Sequence, residues 1–138
     1  MADALLWAEV SRLGGIRMQT VVAVGIGGFI GSVLRYLMAQ VPIQEKTAFP
    51  FATLAVNVLG AFAIGIIAGL AERHEGINPN LLAFLRVGVC GGFTTFSTFA
   101  LEIVGLSGDG RVWMGALYAL LSLLLGVSAV VTGRILAA

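Results

Sequence analysis

Four apolar stretches, about 20–41, 49–70, 81–106 and 112–133, decide what this chain can fold into. A helix rises 1.5 Å per residue and the hydrocarbon of a bilayer is about 30 Å thick, so roughly 20 apolar residues cross it. Each stretch is long enough. Charge inside them is confined to Arg35 in the first and to Arg86 and Glu102 near the two ends of the third. The chain is 59% apolar and 11% charged, which suits lipid and not an ordinary soluble domain. A formal net charge of +1 lacks the basic footprint of a nucleic-acid binder, and so little charge is the opposite of a disordered composition. One cysteine and one histidine exclude an internal disulfide and a side-chain zinc cluster. Arg12 and Arg17 precede the first run as they would in a secretory signal. No small-residue cleavage pattern follows, so the run reads as a retained span.

The boundaries fall where charge, Pro and Asn collect, at 41–47 and 72–80, with Asn78 or Asn80 placed to cap the third helix. Residues 1–18 set Leu5, Leu6, Trp7, Val10, Leu13 and Ile16 against Asp3, Glu9, Arg12 and Arg17. That is the pattern of a short interfacial helix, ahead of a four-helix transmembrane unit over 19–138. Helices in lipid associate through close approach at small residues. Gly115, Ala119, Ser122, Gly126, Ala129 and Gly133 form such a seam along the fourth span, with Gly27 and Gly31 in the first and Ala61, Gly65 and Gly69 in the second.

Four helices leave little interior room, so oligomerisation is expected. Orientation follows Lys and Arg in short loops. One side carries Arg12, Arg17, Arg73, Arg134 and Arg86, the other Lys46, Arg111 and Arg35, a weak bias that permits insertion both ways. Two opposed copies then create by association the inverted symmetry that larger transporters encode in one chain.

The most informative run is Gly91-Gly92-Phe93-Thr94-Thr95-Phe96-Ser97-Thr98-Phe99, in mid-span, where paired glycines and β-branched threonines are poor helix formers. It predicts a third helix broken within the membrane, which lipid tolerates only where protein or a polar cavity satisfies the backbone. Loose carbonyls suit a cation there, and the half-helix resuming near Thr95 suits an anion. Beyond it, Phe96 and Phe99 lie at i and i+3, and Thr95, Thr98 and Glu102 share another stripe. Ring edges are partially positive, so edge-on phenyls can cradle a small anion without trapping it. Taken alone, the phenylalanines also read as core packing and the Ser/Thr turn as bonding to its own helix. Asn57, with Thr53 one turn before it, reads as a site or as helix-to-helix glue. Arg35 and Glu102 read as functional charges or as snorkelling ones. Tyr118 and Ser122 offer hydroxyls on the fourth-span seam, and Cys90 reads as a packing residue.

These motifs resemble the small bacterial fluoride channels, the Fluc or CrcB family, over nearly the full chain. The resemblance rests on Gly-Ser-Val-Leu-Arg35-Tyr, on Thr53-Leu-Ala-Val-Asn57-Val-Leu-Gly60, on the run ending at Phe99 with Glu102 after it, and on Tyr118 through Ser122. It implies an all-α, antiparallel, dual-topology homodimer in the cytoplasmic (inner) membrane that exports fluoride passively through two pores. It also implies a structural Na+ at the dimer centre on the backbone carbonyls of Gly91 and Thr94. Phe96 and Phe99 match the family's aromatic box, Asn57 its fluoride-facing amide, and Thr53, Ser97 and Thr98 its polar track. Arg35 and Glu102 match charged positions near the pore ends. Ala100 stands where some relatives carry Ser, and the amino-terminal segment is longer than the family pattern. Neither a nucleotide-binding motif nor an enzyme's catalytic set is visible. A four-helix drug/proton antiporter has similar length and span count but needs a deep carboxylate, and a scaffold subunit leaves the 91–99 run without a purpose.

Overall fold

The computed structural model describes residues 17–42 and 47–137, so the expected interfacial helix lies outside the described residues apart from its last two. All regular structure in them is helical: α1 (Met18–Ala39), α2 (Phe51–Arg73), α3 (79–93), α4 (Phe96–Gly108) and α5 (Val112–Ala137). Four spans are long and apolar enough to cross a membrane, the third running Pro79–Gly108 and thus containing both α3 and α4. The second and fourth spans reach further than hydropathy alone places them. Their ends are joined by Arg134 and Glu72, with Nη2–Oε1 at 2.9 Å and Nε–Oε2 at 3.1 Å. Both side chains are more than half exposed, so the pair is worth no more than about 1 kcal/mol.

Helix boundaries follow from local chemistry. Asn78 caps α3, its side chain accepting from the Asn80 amide at 2.8 Å, with Pro79 in the first turn where its missing N–H costs nothing. Asn80 in turn accepts from the Thr20 hydroxyl at 2.6 Å, tying the start of α3 to the start of α1. The turns after α2 and α4 contain Gly76 at φ 91° and Gly110 at φ 75°, the left-handed region that glycine occupies without strain.

Within α3, Phe84–Cys90 winds as a π-helix, and the Gly91 amide reaches back to the Arg86 carbonyl. The wider turn sets its backbone directly against α1: a Cβ on Gly88 would sit 2.8 Å from the Gly27 Cα, and one on Gly92 would sit 2.6 Å from the Gly28 carbonyl oxygen. Gly27 and Gly31 meet the carbonyls of Phe84 and Val89 from the other side. The second extensive contact pairs α2 with α5, where Gly65 lies under Val130, Gly69 under Arg134, and Gly133 under Phe62. Within the chain the fourth-span seam packs only in part, since a Cβ on Gly126 meets nothing within 4 Å among the described residues.

Helical geometry stops at Phe93 and resumes at Phe96. Thr94 (φ −77°, ψ 159°) and Thr95 (φ −149°, ψ 122°) are extended. Outside the helix contacts the surface is apolar, with Phe29 72%, Leu101 71% and Trp113 88% exposed. Such a surface belongs in hydrocarbon.

Candidate functional site

The extended pair at 94–95 leaves backbone groups that a continuous helix would have satisfied, and neighbouring side chains take most of them up. Asn57 of α2 does so twice: its Nδ2 donates to the Thr95 carbonyl at 3.0 Å, and its Oδ1 accepts from the Thr95 amide at 2.8 Å. Arg35 of α1 donates from Nε to the Gly92 carbonyl at 3.1 Å. The Thr94 amide and hydroxyl both donate to the Cys90 carbonyl, at 3.0 and 2.9 Å. Thr95 caps α4, its Oγ1 accepting from the Thr98 amide at 3.2 Å.

Two cavities flank this segment and meet at Thr95. The first, about 450 Å³, is bordered by Asn57, Gly91, Thr94, Phe96, Phe99 and Ser122, among others. Phe96 is 79% exposed, and its ring centroid lies 5.7 Å from that of Phe99. The Ser122 hydroxyl beside this cavity is buried and has no hydrogen-bond partner among the described residues, where buried polar atoms are ordinarily paired. The second cavity, about 480 Å³, is bordered by Arg35, Thr53, Thr98 and Glu102. Both Glu102 oxygens are engaged, Oε1 accepting from the Thr53 hydroxyl and Oε2 from the Tyr118 hydroxyl, each at 2.7 Å.

Arg35 and Glu102 thus each make hydrogen bonds inside the protein. Tyr118, read as offering a hydroxyl on the fourth-span seam, uses that hydroxyl within the chain. It is fully buried, its hydroxyl goes to Glu102, and its ring packs edge-on against Phe99 and Phe49, with centroids 5.1 and 5.5 Å apart. Ser97 is exposed and borders neither cavity. Sequence reasoning missed Phe49 as a support for Tyr118, and it treated Arg86, which borders the first cavity, only as an orientation charge. Arg86 carried a usable signal, a cation inside an apolar run. Phe49 carried none.

A family model described as "CrcB-like protein, Camphor Resistance (CrcB)" matches residues 22–134, which includes every residue around the two cavities. The chain belongs to this CrcB-like family. It is 47% identical over 120 residues to a protein of Chlorobaculum tepidum, covering 87% of this chain and 95% of that one. It is 47% identical over 115 residues to one from Chlorobium chlorochromatii (83% and 89% covered), and 40% identical over 121 residues to one from Flavobacterium psychrophilum (87% and 98%). All three relatives bear the name "Fluoride-specific ion channel FluC". With four membrane-spanning helices, this CrcB-like chain is a multi-pass protein of the bacterial inner membrane.

Proposed function

We propose that this chain is a fluoride-selective channel that lets fluoride leave the cell passively, two antiparallel copies forming a dual-topology homodimer with two pores. The observation that carries the reading is the Asn57 clamp on Thr95, set beside Phe96, Phe99 and the unpartnered Ser122 hydroxyl in one cavity. Fluoride is small and strongly hydrated, so a path for it must replace water with several donors. Asn57 uses one amide hydrogen on Thr95 and keeps the second. Ser122 supplies a hydroxyl, and the phenyl rims supply partially positive edges. On the far side of Thr95, Thr53 and Thr98 border the second cavity beside Arg35 and Glu102. There Arg35 offers positive charge to an anion, while Glu102 is held by two hydroxyl donors.

The Thr94 carbonyl oxygen receives no hydrogen bond among the described residues, and Gly91 is exposed on the surface of the chain. Neutral oxygens of this kind fit a hard cation such as Na+. These two residues would hold it where opposed copies meet, and the bound ion would add positive potential for an anion path.

Efflux from liposomes containing the purified protein tests the reading. Fast fluoride release, with chloride retained and no dependence on a proton gradient, is the expected result; vesicles that hold fluoride as well as protein-free ones overturn it.

A further inference from the structure

We infer that Arg86 is the anion-attracting group of the cavity bordered by Asn57, Phe96 and Phe99, drawing the permeant anion toward the aromatic pair; this rests on the channel reading above. Arg86 borders that cavity together with Gly91 and Ser122, and it is exposed. Its place follows from the π-helical turn. Gly91 lies five positions after Arg86, and its amide bonds back to the Arg86 carbonyl, so the two stand on one face of a helix whose turn has widened. An ordinary α-helical turn of 3.6 residues would rotate Arg86 away from Gly91.

The two cavities are electrostatically unlike. The second is bordered by both Arg35 and Glu102, whereas no carboxylate is among the residues bordering the first, and Arg86 has no salt-bridge partner among the described residues. A lone guanidinium at the mouth of a low-dielectric cleft raises the local anion concentration and the entry rate, and added salt screens that attraction.

The test compares wild type, Arg86→Gln and Arg86→Lys in fluoride efflux from vesicles of purely zwitterionic lipid and, in a parallel arm, from vesicles doped with anionic lipid, across a series of impermeant salt concentrations. At about 10 mM ionic strength Arg86→Gln should run about three- to tenfold slower than wild type, the gap closing toward about 0.5 M as the screening length shrinks from about 30 Å to a few ångströms. Arg86→Lys keeps the sign and should stay within about twofold of wild type. If Arg86→Gln does not fold, the lysine variant and the fall of wild-type flux with salt carry the test. Equal flux for Arg86→Gln and wild type at every ionic strength overturns the role of Arg86 and leaves the channel reading standing. So does a deficit confined to vesicles doped with anionic lipid, which would make the guanidinium a phosphate anchor. Absence of fluoride flux from wild type overturns both.

Discussion

Asn57 holds Thr95, the residue at which the two cavities meet. Asn57→Asp replaces an amide donor with an acceptor, so the Thr95 carbonyl loses its partner and a negative charge faces the path of an anion. Fluoride efflux should fall by about tenfold or more, the scale of a lost hydrogen bond to a charged group at about 1.5–3 kcal/mol. Phe96→Ile should likewise cut flux while the protein elutes as wild type does, because so exposed a ring contributes little to packing within its own chain. Unchanged flux in both variants, measured in the same vesicles, would show the pore to lie elsewhere. Asn57 and Ser122 were legible as candidates because each is polar within an apolar run, and Phe96 and Phe99 because they follow the helix-breaking 91–95 run at i and i+3. Their partners were not. The Thr53–Glu102–Tyr118 contacts join residues 49 and 16 positions apart, and no spacing rule predicts which hydroxyl meets which carboxylate across two helices.

At the scale of the element, hydropathy reads the four spans well because crossing lipid demands length and apolarity and little else. A cap at Asn78 or Asn80 was readable because capping is a local bond between neighbours, and the bond selects Asn78. The π-helical turn Phe84–Cys90 was not. It exists where α3 lies against the α1 backbone, a tertiary condition with no imprint on the order of side chains. Substitutions separate the glycines that pack from those that do not. Gly31→Val would drive a branched side chain into the Val89 carbonyl and the Phe93 amide, and should cost about 1–3 kcal/mol, read as a lowered unfolding temperature in detergent. Gly105→Ala meets nothing within 4 Å and should leave that temperature within the equivalent of about 0.5 kcal/mol. Reversal of this order would mean that the crossing of α1 and α3 is misplaced.

For the whole molecule, the arrangement of copies decides whether the cavities become pores. With Cys90 replaced by Ala and a single cysteine at position 74, in the exposed segment after α2, a membrane-impermeant thiol reagent should label about half of the copies from each side, as the weak charge bias allows. Labelling from one side alone would dismantle the antiparallel dimer. Gly91→Val probes the centre of the proposed dimer. Within its own chain an added Cβ meets only the Arg86 carbonyl oxygen, at 3.8 Å, so the fold should survive while elution shifts to monomer and flux is lost; a dimeric, active variant would contradict the cation placement. The glycine crossing of α1 on α3 has a mechanical consequence. Peptide planes there touch without intervening side chains, leaving nothing soft to deform when the surrounding lipid becomes thinner or thicker. Mismatch must then be absorbed at the helix ends, and transport rates should stay flat across acyl chains of different length, where a pair of helices cushioned by leucines would tilt and drift.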